Sequence, residues 1–341
     1  MNYAIGRSTS VSIPFSASSV NAIVAVIVDS FSSMFGTIED PESAAIRAAA
    51  FAHVRRLHVT NDAITSDDLK AGFLWQGQRV PLVNPQRGIF KPQRMQFLLS
   101  IRTVFPRSGA KIWYDDQRRV HKQVFAGEDS VEYAFMGDDP EQADNRWLRE
   151  AFENQIPVLY FLGVSPGRYL GIVPTYISSW DRYGKRAGIS FAAASSQLVA
   201  AEPERRYALR EVKQRLHQAT FRDAVISAYN GRCALSGLPE PRLLDAAHIV
   251  ADRDVDLGQP VVPNGIPLTK IHHAAFDAHL LGVDADYRIH VSERLLGQND
   301  GPMLEALKGL HLKPIRAPAR PKDLPDRERL AQRFEEFLLV N

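Results

Sequence analysis

The sequence predicts a multidomain α+β protein, and three features of its patterning carry that prediction. Helical spacing prevails over residues 41 to 71, short apolar runs broken by Gly and Pro prevail from about 87 to 180, and a strand, turn, strand, helix series lies between 243 and 280. A length of 341 residues allows two or three domains, and an apolar fraction of 45% is enough for each to hold a core. The reading divides the chain into an N-terminal mostly helical module (1–85), a mostly-β domain (86–195), a helical linker (196–219) and a C-terminal domain (220–341).

Residues 1 to about 39 are Ser-rich with one apolar patch, NAIVAVIV at 21–28. That run is too short to span a bilayer, is followed by Asp29, and lacks the basic start and small-residue cleavage site of a leader. A cytoplasmic protein with no membrane partner is expected. Asp40-Pro41-Glu42 is a helix start, a capping side chain followed by proline at the first helical position, and the helix should run to about 57. TSDDLKAGF reads as a second helix and WQGQRVPL as a β segment. Helix, helix and strand suit a small winged-helix-like module, or equally a support for the domain that follows.

From Arg87 to Trp180 the strands are FLLSIRTVF, KIWYDD, VEYAFMG, IPVLYFLGV and RYLGIVPTYI, interrupted by one helix, NRWLREAFENQ. Such a pattern suits a curved sheet or open barrel rather than a doubly wound fold. Gly184 to about Ala219 reads as a link, largely a charged helix around RRYALREVKQRLHQ. At the C-terminus DRERLAQRFEEFLLV is apolar at 330, 334, 337 and 338, a face for packing on its own domain or for a dimer contact.

The chemistry concentrates in LLDAAHIVADRDVDLGQPVVPNGIPLTKIHHAAFD, residues 243–277. His248 lies near the end of an apolar strand, Asn264-Gly265 makes a turn, and the helix after IPLT bears His272, His273 and Asp277. A hairpin followed by a helix brings these two surfaces together. A neutral imidazole takes a proton from water near pH 7, and a divalent cation stabilises charge on a scissile phosphate and its leaving oxygen. His248 is the candidate base. Asp245 and His273 are the candidate ligands for Mg2+ or Mn2+, hard cations that keep several waters and need few protein ligands. His272 points about 100° away from His273 on the helix and is a candidate for phosphate or supporting contacts. Asp277, His279 and His290 read as structural. Closed zinc sites use about two to four cysteines, whereas Cys233 stands alone in an apolar GRCAL turn, so no structural zinc and no intrachain disulfide are expected.

A net charge of +2 does not by itself indicate a nucleic-acid partner, but its distribution is uneven. Basic residues gather at RRLH (55–58), Lys91 to Arg94, Arg118 to Lys122 and RRYALREVKQR (205–215), where they could neutralise phosphates. The acidic GEDSVEYAFMGDDPEQAD leaves such a surface one-sided.

The strings AAHI, NGIPL and HHAAFD, with GRCALSGL upstream, resemble the HNH nucleases over roughly residues 219 to 300. The resemblance implies a ββα-metal unit with His248, Asn264 and His273 as its catalytic set. In it His248 activates water, His273 binds the metal, and Asn264 braces the loop and orients the base. Many members place a ligand Asp or His directly before the catalytic His, where this chain has Ala247. Asp245 is the replacement the sequence offers.

WYDD at 113–116 and EYAFMG at 132–137 resemble the SRA (SET- and RING-associated) domains, PUA-like open barrels that flip a modified base into a pocket. By that resemblance Tyr133 with Trp113 or Tyr114 would stack on the base, and Asp115 or Asp116 would read its polar edge. An insertion separates the two aromatics compared with vertebrate-type domains. The order of parts, with GIFKP, YFLGVSPGRY and DNRWLREA, resembles modification-dependent restriction endonucleases. The resemblance implies a defence nuclease that recognises double-stranded DNA carrying 5-methylcytosine or 5-hydroxymethylcytosine by base flipping and cuts nearby. One HNH site cuts one strand, so double-strand cleavage implies a homodimer or two molecules acting at neighbouring marks. Two alternatives stand beside it: a nuclease sensing another mark such as phosphorothioate, and a non-catalytic DNA-binding protein.

Overall fold

The computed structural model describes residues 39–105, 131–191, 202–254 and 256–341. Helix α1 (Pro41–Thr60) starts as the sequence predicts, with the Asp40 carboxylate accepting from the Ser43 N–H at 2.9 Å and Pro41 in the first turn. It runs three residues past the expected end. Strand β1 (Ile64–Thr65) and helix α2 (Ser66–Ala71) follow, joined by a capping box between Thr65 and Asp68. A hairpin of β2 (Phe73–Trp75) and β3 (Gln78–Val80) completes this part.

The helix, helix and hairpin order is thus present, but its core is shared. Ile46, Phe51, Val54, Leu69 and Phe73 bury against Leu159, Phe161 and Tyr169 of the central sheet. The segment is a layer on that sheet.

The sheet holds β4 (Ile89–Phe90), β5 (Ser100–Thr103), β6 (Val131–Ala134), β7 (Val158–Ser165), β8 (Arg168–Asp181) and β9 (Arg186–Phe191) in the order β4-β5-β7-β8-β9-β6, with β1 added on β8. Only β5 and β7 are parallel. β8 is 14 residues long; its start pairs with β1, and its two long ladders run from Arg168 to Thr175 with β7 and from Thr175 to Asp181 with β9. Register shifts along both ladders bend it, which curls the sheet into a half-barrel.

β7 explains why both faces are covered. Val158, Tyr160, Leu162 and Val164 enter one core while Leu159 and Phe161 enter the other, so a period of two becomes a continuous apolar run. Helix α3 (Ala143–Glu153) covers the first face through Leu148 and Ala151. The expected curved sheet is therefore observed. Strand β9 falls in the segment read as a link, because RAGISF carries too short a pattern to stand out until β6 and β8 flank it.

Helix α4 (Glu202–Ala228) then runs 27 residues, about 40 Å at the α-helical rise. Val212, Leu216 and Ala219 belong to the core under the sheet, whereas Ile226 and Ala228 belong to the C-terminal core. One helix thus enters two cores, and the expected boundary at 219 lies inside it.

The C-terminal part holds β10 (Leu244–His248), β11 (Gly265–Thr269) and helix α5 (Lys270–Asp277), the expected hairpin and helix. A second hairpin, β12 (Leu281–Val283) and β13 (Ile289–Val291), and helices α6 (Glu293–Leu296), α7 (Gly301–Lys308) and α8 (Arg327–Val340) follow. Helix α8 packs on its own domain: Leu330 and Phe337 are buried, and a Cβ at Gly282 would meet the Phe337 ring at 2.8 Å. No helix among the described residues is long and apolar enough to cross a membrane.

Candidate active site

The register of β10 and β11 sets His248 opposite Gly265, Ala247 opposite Ile266 and Asp245 opposite Leu268. Immediately after His248 the chain is locked by Asn264, which is fully buried. Its Oδ1 accepts the Val250 N–H at 2.9 Å, while its Nδ2 donates to Val250 O at 3.0 Å and Gln259 O at 3.1 Å. Its own carbonyl accepts the Ile249 N–H at 3.0 Å. A carboxylate could not do this, since the site needs a donor and an acceptor on one short side chain.

The His248 ring lies parallel on Phe221 of α4, with centroids 4.1 Å apart and planes at 17°. Burial against this helix pulls the pKa of His248 below the ordinary 6.5, against the opposing charge of Asp252. The imidazole is therefore neutral at pH 7. Its Nε2 is buried and has no hydrogen-bond partner among the described residues.

Helix α5 begins at Thr269, whose Oγ1 accepts the His272 N–H at 3.2 Å, and so presents His273 to β10. His273 Nδ1 stands 3.7 Å from Asp245 Oδ2, and its Nε2 stands 3.4 Å from Asp277 Oδ2. At 3.7 Å the first contact is longer than a hydrogen bond, and it is an ion pair when His273 is protonated. The Asp245 carboxylate raises the pKa of His273 against its burial, and His273, with Lys270 and Arg222 behind it, lowers that of Asp245. Ala247 is fully buried in the core, so the position directly before His248 faces inward and Asp245 is the β10 carboxylate that meets the helix.

Among the described residues no three His, Cys, Asp or Glu side chains are grouped to hold a metal ion. Asp245 and His273 nevertheless fit one in donor chemistry, an oxygen and a nitrogen from adjacent elements with coordination positions left for water and phosphate.

These residues open into one cleft of about 770 Å³ that contains Asp245, His248 and His273. Its other walls come from the N-terminal layer through His58 and Asp62, from β8 through Arg168, and from α4 through Phe221 and Arg222. Arg222 ties them together. Its Nη2 donates to Leu244 O at 2.5 Å and Pro241 O at 3.0 Å, and its Nε lies 3.4 Å from Asp62 and 3.9 Å from Asp245. Sequence reasoning missed Phe221 and Arg222, since an aromatic and an arginine in a charged helix are unremarkable before the hairpin folds against them. Lys270 also lines the cleft, at the first turn of α5.

The remaining candidates fall elsewhere. His272 turns its Nδ1 to Cys233 Sγ at 3.4 Å, on a different side of the helix from His273. Burial pushes the Cys233 thiol up, but hydrogen bonds from His272, Ser236 and Thr269 outweigh it and bring the pKa down to about 6. His290 Nε2 donates to the Asp284 carboxylate at 2.8 Å, away from the cleft. Tyr133 is 6% exposed in the core of the half-barrel, edge-on to Tyr160, and lines neither the cleft above nor a second cavity beside it. Trp113, Tyr114, Asp115 and Asp116 lie outside the described residues, as do Arg118 to Lys122. Arg55, His58 and Arg215, from two of the basic clusters, line that second cavity, about 500 Å³ in volume.

Residues 233–284 match a family model described as HNH endonuclease, so this part of the chain carries an HNH endonuclease domain. No curated protein matches the chain. A similar solved structure is titled modification dependent TagI restriction endonuclease; it shares 15% identity over 74% of this chain and 86% of its own, at a TM-score of 0.30. That score is too low for fold or activity to be carried across.

Proposed function

We propose that this chain is a divalent-metal-dependent DNA endonuclease whose β domain directs it to modified cytosine, 5-methylcytosine or its 5-hydroxymethyl derivative. The observation that supports it most is the meeting of Asp245, His248 and His273 in one cleft within the segment that matches the HNH model. His248 takes the proton from the attacking water, and its neutrality at pH 7 follows from burial. Asn264 closes the loop behind it, so the imidazole keeps one place relative to the cleft. Asp245 and His273 would hold Mg2+ or Mn2+, which when bound stabilises charge on the phosphate and the leaving oxygen. Arg168, Arg222 and Lys270 place positive charge on the cleft wall, where phosphates would lie.

Modified-base selection rests on the resemblance of WYDD and EYAFMG to base-flipping domains, with Trp113, Tyr114, Asp115, Asp116 and Tyr133 as the proposed pocket. Two molecules, as a homodimer or at neighbouring marks, would cut both strands. The test uses one plasmid prepared with and without cytosine methylation, incubated with Mg2+ or Mn2+ and the parent or His248→Ala protein. Cutting of methylated plasmid alone by the parent, and of neither by the variant, is expected. Equal cutting of both plasmids refutes the reader; a fully active His248→Ala protein refutes the base.

A further inference from the structure

Helix α4 does more at the cleft than join two cores. Phe221 is 3% exposed and its ring covers one face of the His248 imidazole. The same ring fits against Gly265, the register partner of His248: a Cβ there would lie 2.7 Å from Phe221 Cζ and 2.5 Å from Val225 Cγ2. The helix is thus pressed on the point where the base-bearing strand and its partner meet, and only a residue without a side chain permits that approach. Among the described residues no hydrogen bond holds the ring of His248 at Nε2. In many histidine bases a carboxylate or carbonyl on the second nitrogen fixes the imidazole plane. Here the flat contact at 4.1 Å is the constraint on that plane.

We infer that Phe221 is a positioning residue for the nuclease reaction, fixing the plane of the His248 imidazole by stacking. The inference rests on the reading of His248 as the base. Because α4 also carries Val212, Leu216 and Ala219 into the core of the half-barrel, the orientation of the base is mechanically tied to the β domain.

The test compares the full-length parent with Phe221→Leu, which keeps an apolar side chain but removes the ring. Displacing a catalytic group by about 1 Å can cost as much as a hundredfold in rate, so kcat should fall about ten- to a hundredfold in F221L. KM, and Mn2+ binding read by calorimetry, should stay at the parental values. In the parent, the His248 ring protons, assigned by their loss in H248A, should resonate upfield of an unstacked histidine through the ring current of Phe221. F221L should return them to the ordinary position. Ordinary His248 resonances in the parent, or parental kcat in a folded F221L, overturn the inference even where H248A is inactive. An active H248A instead overturns the base assignment beneath it.

Discussion

Replacing Arg222 with methionine removes the group that joins three parts of the molecule while keeping the length and apolar stem of the side chain. The side chain is 11% exposed, and its guanidinium donates to two backbone carbonyls at 2.5 and 3.0 Å and faces Asp62, Asp223 and Asp245 at 3.4, 3.6 and 3.9 Å. Asp62 is 57% exposed and is solvated readily once its partner is gone, so it contributes little. Asp223 is 11% exposed and loses one of the two arginines around it; Arg168 remains at 3.2 Å. The carbonyls of Pro241 and Leu244 lose a charged donor each. Breaking a buried pair costs about 3–5 kcal/mol, and the remaining Arg168 moves the expectation to the lower end, about 3 kcal/mol. Urea unfolding followed by fluorescence and circular dichroism measures it. With a slope of about 3 kcal/mol per molar, the midpoint of the transition that includes the C-terminal core should fall by about 1 M. Since Leu244 directly precedes Asp245, Mn2+ affinity should fall in the folded variant as well. A midpoint moved by less than about 0.2 M would show that the arginine is dispensable and that the reasoning from its contacts is wrong.

Three further outcomes follow from the same geometry. Asp245→Asn should weaken Mn2+ binding by at least about tenfold in calorimetry, and parental affinity would move the first-strand ligand elsewhere. His248 must be neutral to act, and burial lowers its pKa below 6.5, so the acidic limb of the kcat/KM profile should lie below pH 6.5; a limb above that value contradicts the burial argument. Asp40→Ala should cost about 1 kcal/mol in thermal unfolding through loss of the α1 cap. Hydrogen bonds from Ser43 hold the Asp40 carboxyl below its ordinary 3.8, so this contribution is complete above that pH and fades as pH falls through the lower folded value. The difference between Asp40→Ala and parent should therefore shrink in strong acid.

The local elements were legible because each has a local cause. Asp40-Pro41 starts α1 through its own side chain and ring, whereas Asn264-Gly265, read as the turn, stands at the end of the long connection from His248, with Asn264 closing that loop and Gly265 already paired with His248 in β11. The apolar runs of β7 and β8 are long enough to declare strands without their neighbours. RAGISF is not, and becomes β9 only because β6 and β8 lie on either side of it. The N-terminal helices were legible as helices, but not as a layer, since Leu159 and Phe161, on which they pack, lie about a hundred residues away.

At the candidate site the sequence alone determined the residue types and their order, His248, Asn264 and His273 with Asp245 upstream, because a hairpin and a capped helix are specified over short distances. The tertiary structure alone decided which of them meet. Ala247 turns into the core and Asp245 turns to His273, because packing buries Leu244 and Ala247 of β10 and leaves Asp245 and His248 half-buried, a pattern that two-residue alternation does not give. Phe221 and Arg222 reach the cleft because a 27-residue helix shared by two cores lies across the hairpin. Contacts between segments far apart in sequence depend on where whole elements pack, and no spacing within either segment encodes that.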